Sequence, residues 1–116
     1  MIHILNDEKD FQLSKHFSSS EFVCSCDKCH ISMVEEDLID RLEILRRLLD
    51  QPIIINSGYR CQQHNRAIGG ANYSRHCCGQ AVDLQLSTSD HGLVQFAADV
   101  FTYHEVGANY VHVDIR

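Results

Sequence analysis

Two short stretches of this chain alternate apolar and polar residues without a break, and they limit what it can fold into. In residues 80–86, Val82, Leu84 and Leu86 fall on one side of a two-residue period and Ala81, Asp83 and Gln85 on the other. In residues 110–115, Val111, Val113 and Ile115 oppose Tyr110, His112 and Asp114. Successive side chains of an extended strand point to opposite faces, so each stretch predicts a half-buried strand. Between them, residues 88–103 carry Leu93, Phe96, Ala97, Val100 and Phe101 at helical spacing. That predicts an amphipathic helix, capped by Ser87 or Thr88.

Upstream, Val34, Leu38, Leu42, Leu45 and Leu49 recur at spacings of three and four, which predicts a helix over 32–50. Ser32 and Glu35 fit a capping box at its start, and Pro52 stops it. The β-branched run Ile53-Ile54-Ile55 predicts a buried strand that Ser57-Gly58 breaks. A short helix over Tyr59–Ile68 ends at Gly69-Gly70, and a polar loop follows to Cys78. Ser18 to Ser20, before Glu21, mark a short helix or turn. This order predicts one α+β domain over residues 1–116, with a small, mostly antiparallel sheet and helices on one face. At 116 residues and 44% apolar composition, the chain can hold a core without disulfides.

Charge and cysteine usage narrow the function. Sixteen acidic against ten basic residues give a net charge of -6, the wrong sign for a protein whose main task is to grip nucleic-acid phosphates. No apolar run approaches the roughly 20 residues that cross a bilayer, so no membrane partner is expected. The start, MIHILNDEKD, has no basic segment and no long apolar segment, so a classical secretory signal is not expected. Six cysteines without such a signal predict a reducing compartment, with thiols or metal ligands in preference to a disulfide scaffold.

The polar faces of the two strands carry Asp83 on one and His112 with Asp114 on the other. If the strands pair, a carboxylate and an imidazole share a pocket, because opposed Cβ atoms lie about 4.5–5.5 Å apart. His76 precedes Asp83 by seven residues, and Gly79 lets the chain turn between them. His76, Asp83 and His112 thus form a candidate set of three ligands, the usual number at a catalytic zinc with an open position. The same residues also suit an ordinary solvated strand face. A second cluster, Cys24, Cys26 and Cys29, fits a structural zinc with Cys61 or His30 as fourth ligand. Its C-x-C-x2-C spacing lacks paired C-x2-C knuckles, so a loop of free or disulfide-bonded thiols is the alternative. Cys77 and Cys78 read as packing residues.

Ser74-Arg75-His76-Cys77-Cys78-Gly79-Gln80-Ala81-Val82-Asp83 resembles the S-x-H-x-x-G-x-A-x-D motif of the zinc D-alanyl-D-alanine carboxypeptidase family, which includes phage L-alanyl-D-glutamate endopeptidases. Tyr110-Val111-His112-Val113-Asp114 resembles the H-V-D strand of its small carboxypeptidase branch, and Ser57-Gly58-Tyr59-Arg60 that branch's S-G-Y-R turn. His64-Asn65, Gly69-Gly70 and Ser20-Glu21-Phe22 fall where the branch has similar segments, so the resemblance covers residues 11–116. It implies a hedgehog-like or DD-peptidase-like fold and a zinc ion bound by His76, Asp83 and His112. It implies a metal-activated water that cleaves peptidoglycan stem peptides, as a D,D-carboxypeptidase or an L-Ala-D-Glu-type endopeptidase. It also implies that Arg60 holds a substrate carboxylate or polarises a carbonyl, and that Ser74 binds substrate or shapes its loop.

Where some relatives place a basic Glu or His, this chain has Asn109 and Tyr110. Asp114 is then the expected general base, with His104 second; orienting a ligand imidazole is the other role open to Asp114. His64 either faces the cleft or simply sits on its helix. A monomer released to the cell wall in phage fashion, or a periplasmic enzyme whose signal was removed, fits this reading. A non-catalytic zinc-binding module on the same hedgehog-like scaffold is the alternative.

Overall fold

In the computed structural model, which describes residues 1–26, 28–88 and 90–116, the two alternating stretches lie side by side at the centre of a sheet. The elements in chain order are β1 (Ile2–Asn6), β2 (Ile31–Glu35), α1 (Glu36–Leu49), β3 (Ile53–Ser57), α2 (Gln62–Ala67), β4 (Ala81–Leu86), α3 (His91–Ala97), β5 (Tyr103–Val106) and β6 (Val111–Asp114). Strands β1 and β2 pair with each other, and the larger sheet has the order β3-β4-β6-β5. Every named pairing is antiparallel, so the α+β expectation holds.

Register decides which face does what. Val82 lies opposite Val113, Asp83 opposite His112 and Leu84 opposite Val111. The four apolar residues join Leu38, Leu42, Leu45 and Leu49 of α1 in one buried core. Burying each such side chain contributes about 1.5–3 kcal/mol, which holds α1 against this face. Alternation then leaves Asp83 and His112 on the opposite face. A register shift between Ile55 and Ser57 brings Ser57 of β3 opposite Asp83.

Three local expectations are corrected. Helix α1 starts at Glu36, and residues 31–35 form a strand instead. Ser32 is no helix cap: its hydroxyl accepts the Cys24 N–H at 2.9 Å. The apolar stripe misplaced this boundary because Val34 is buried in either conformation, and β1 supplies the strand partner. The span 88–103 divides into α3, a 3₁₀ turn at Ala98–Val100 and the start of β5. Asp90 caps α3 by accepting the Leu93 N–H at 3.0 Å, while the Ser87 and Thr88 amides bind Gln51. The third is Cys78, which is exposed and so not a packing residue. The short helix α2 and a 3₁₀ turn at Ser19–Glu21 match their expectations. Among the described residues, no helix is long and apolar enough to cross a membrane.

Candidate active site

His76 is placed by a 3₁₀ turn, Arg75–Cys78, between the polar loop and β4. Ser74 caps this turn, its Oγ accepting the His76 N–H at 3.2 Å. Gly79 closes it at φ +70, and a Cβ there would lie 2.8 Å from the Met33 carbonyl oxygen. Only glycine meets both demands, which accounts for this residue at this point of the motif. The imidazole of His76 is 2% exposed. Its Nδ1 donates to the Gly58 carbonyl at 2.8 Å. A carbonyl can only accept, so Nδ1 carries the proton and a neutral ring keeps its lone pair on Nε2.

That Nε2 is the one buried side-chain nitrogen or oxygen among the described residues with no hydrogen-bond partner. It lies 3.3 Å from Asp83 Oδ1, without hydrogen-bonding geometry. Leaving such an atom unsatisfied costs about 1–3 kcal/mol, so a buried orphan points to a missing partner. His112 Nδ1 sits 2.9 Å from the same Oδ1. One donor atom each from His76, Asp83 and His112 all fall within 4.8 Å of one another. Two imidazole nitrogens and a carboxylate oxygen suit zinc, so this site can hold a metal ion.

The surrounding charges are paired. Burial would raise the Asp83 carboxyl, but the hydrogen bond from His112 and the nearby His76 imidazole outweigh it and hold Asp83 well below the usual carboxylate range. Burial would lower His112, but Asp83 and Asp114 on either side of the ring raise it above the ordinary imidazole value. Arg60 is 12% exposed at its side chain, and its Nη2 donates to Asp83 Oδ2 at 2.9 Å. Its Nε and Nη1 donate to Ser57 Oγ and Asn65 Oδ1. Arg60 therefore touches a candidate metal ligand, which reading the S-G-Y-R turn as a substrate contact did not anticipate.

Asp114 shares the site face but is 0% exposed. Its Oδ2 lies 2.9 Å from His112 Nε2, and Arg116 donates to both of its oxygens. Burial would raise Asp114, but Arg116 and His112 lower it. Arg116 in turn stacks 3.8 Å over the Tyr103 ring. His104 lies on the opposite side of β5 from Tyr103 and Glu105, with its Nε2 3.3 Å from Gln95 Oε1. Strand alternation turns it away from the cleft, so the second candidate base is out of reach. His64 does not line the cleft either; its Nε2 is 3.2 Å from Ser25 Oγ.

An open cleft of about 460 Å³ lies over this face, lined by Arg60, Ser74, His76, Asp83 and His112. Glu105 also lines it, directly across the β5–β6 pair from His112. The Tyr110 hydroxyl donates to Glu105 Oε1 at 3.2 Å. The motif comparison missed Glu105 because the expected helix runs to residue 103, where β5 begins, and leaves residues 104–109 as a loop. The available signal was Gly107, which separates two short alternating runs as a hairpin does. The family model described as Peptidase M15 matches residues 15–114. A search of the curated proteins finds no match.

Proposed function

The chain belongs to the Peptidase M15 family, a family of zinc-dependent metallopeptidases, and we propose that residues 1–116 form one zinc peptidase domain that hydrolyses peptidoglycan stem peptides. Cleavage falls at a D-Ala-D-Ala or an L-Ala-D-Glu bond. The enzyme acts as a monomer at the cell wall, reached by phage-type release or from the periplasm. The observation that carries this reading is the buried, partnerless His76 Nε2 facing Asp83 and His112. His76, Asp83 and His112 would hold the zinc, which would supply Lewis acidity to the scissile carbonyl and to an attacking water.

The chain's own residues do the rest. Glu105 takes the proton from the attacking water and passes it to the leaving amine. Its support is its place opposite His112 and an exposed carboxylate in the cleft, steadied by Tyr110. Asp114 takes the second of the two roles open to it. It holds the Nε2 side of His112 so that Nδ1 faces Asp83 and His76. With both oxygens engaged and no exposure, it is poorly placed to receive a proton from water. Arg60 uses three of a guanidinium's five N–H groups on protein partners, which leaves two for a substrate carboxylate or carbonyl. Ser74 keeps its hydroxyl hydrogen for substrate while its oxygen caps the turn.

The test compares zinc-loaded and chelator-treated protein on purified peptidoglycan, reading released D-alanine and new amino termini. The loaded protein should cleave and the treated protein should not. His76→Ala should lose both the activity and one bound zinc. Asn109 and Tyr110, in place of the relatives' Glu and His, favour a second reading as a non-catalytic zinc-binding module on a hedgehog-like scaffold. Loaded protein that binds stem peptides without cleaving them would establish that second reading.

A further inference from the structure

Four of the six cysteines meet at one point away from the cleft. Cys24, Cys26 and Cys29 come from the loop before β2, and Cys61 from the position that caps α2. Their four Sγ atoms all lie within 4.8 Å of one another. Cys26 Sγ is 3.1 Å from Cys29 Sγ and 3.8 Å from Cys61 Sγ. Zinc–thiolate bonds of about 2.3 Å in a tetrahedron put the sulfurs about 3.8 Å apart. His30, the other candidate fourth ligand, is exposed, with its Nδ1 3.0 Å from Asp7 Oδ2. It has no place in the cluster.

The backbone around the sulfurs is arranged for anions. The Cys29 N–H donates to Cys26 Sγ at 3.4 Å, the Cys61 N–H to Cys24 Sγ at 3.5 Å and the His64 N–H to Cys61 Sγ at 3.4 Å. Amide donors favour a thiolate far more than a neutral thiol, because a charged acceptor roughly doubles the strength of the bond. All four are free cysteines, with no disulfide among them. Four soft sulfurs converging at one point match zinc, with iron as the other metal of this donor set.

We propose that Cys24, Cys26, Cys29 and Cys61 bind a second zinc ion as four thiolates, and that this ion clamps the loop that positions the cleft residues. The thiol protons leave to solvent as the ion enters. The clamp reaches the cleft through short links. Cys61 follows Arg60 directly, and the Arg60 N–H donates to the His76 carbonyl at 3.2 Å. Gly58, three residues before Cys61, supplies the carbonyl that holds His76 Nδ1. The Tyr59 N–H donates to the Phe22 carbonyl, and a Cβ on Gly58 would come within 2.7 Å of Phe22 Cα. The two loops are therefore in backbone contact, and the sulfurs tie them together. Four protein ligands leave no open position, so this site is structural.

This inference does not depend on the peptidase reading, and its test reads the metal and not turnover. Cobalt(II) added to the metal-free full chain should give an intense sulfur-to-metal charge-transfer band and the visible absorption of a tetrahedral thiolate site. The band should persist in His76→Ala/His112→Ala and vanish in Cys26→Ser/Cys29→Ser. On the unaltered chain, zinc should shield four cysteines from alkylation in peptide mapping, while Cys77 and Cys78 react. A cobalt complex without the thiolate band, equal alkylation of all six cysteines with and without zinc, or a mapped disulfide among the four would overturn the proposal. The wild-type measurements decide the matter even if the cysteine variants fail to fold.

Discussion

The two ligand clusters are built in opposite ways. The His76–Asp83–His112 cluster stands mainly on paired strands, and strand register sets the distance between Asp83 and His112. The cysteine cluster stands on loops, drawn from positions separated by 37 residues between Cys24 and Cys61. One opens onto a cleft and offers three ligand groups; the other brings together four sulfurs. A site that must admit substrate needs an open position, and rigid strands can hold three ligands in place around it. A site that only joins loops can spend every position on protein, because nothing has to enter it. The comparison teaches that the chemistry of a ligand set follows from what holds it as much as from which residues compose it.

The sharpest way to break this contrast is to remove the proposed proton acceptor while leaving both candidate metal sites alone. Glu105→Gln should slow peptide cleavage by about 10²–10⁴-fold, the usual cost of losing a general base. Zinc content and cysteine protection should not change. Turnover within a few-fold of normal would remove Glu105 from the mechanism.

A smaller effect is expected one step back from the ligands. Asp114→Asn should weaken zinc binding at the strand site by about 10–100-fold, as loss of a ligand-orienting partner does. At saturating zinc, cleavage should largely recover, because the amide still reaches His112. Unchanged affinity with a large loss of turnover would return Asp114 to the role of proton acceptor. The cysteine site should be indifferent to the substitution, as measured by cobalt thiolate absorption.

The smallest effect is in protons. His112 is raised above the ordinary imidazole value of 6.5 by Asp83 and Asp114, against the lowering effect of burial. In the metal-free fold, this pairing stabilises fully below the ordinary value and is lost as pH rises through the raised one. The lowered Asp83 and Asp114 act in the other sense, losing their contribution as pH falls. Zinc must displace the His112 proton, so binding at the strand site near neutral pH should release up to one proton, and less as pH increases. Calorimetric titration of a cysteine-site variant in two buffers of different ionisation enthalpy measures this directly. Proton release that grows with pH would contradict the assignment.

Legibility in the sequence divided along the same line. The strands β4 and β6 were plain because alternation over six residues has few other causes, and with them came Asp83 facing His112. The edge strand β5 was not, since Phe101 and the apolar residues before it continue a helical period into it. Glu105 went unseen with that strand. β1 was also missed, and with it the reason Ser32 lies in a strand. The cysteine loop was visible as a cluster, yet choosing Cys61 over His30 needed the contact between Gly58 and Phe22, which no local pattern records. Short-range periodicity reports faces; it does not report which loops touch.

Arg60 has a consequence for how many bonds Asp83 can make. Its Nη2 occupies Asp83 Oδ2, so only Oδ1 is turned towards His76 and His112. A carboxylate tethered in this way acts as a single-toothed ligand. The guanidinium would thus limit the protein's contribution to one oxygen and two nitrogens, and would leave the other coordination sites of a bound ion to water and to a peptide carbonyl.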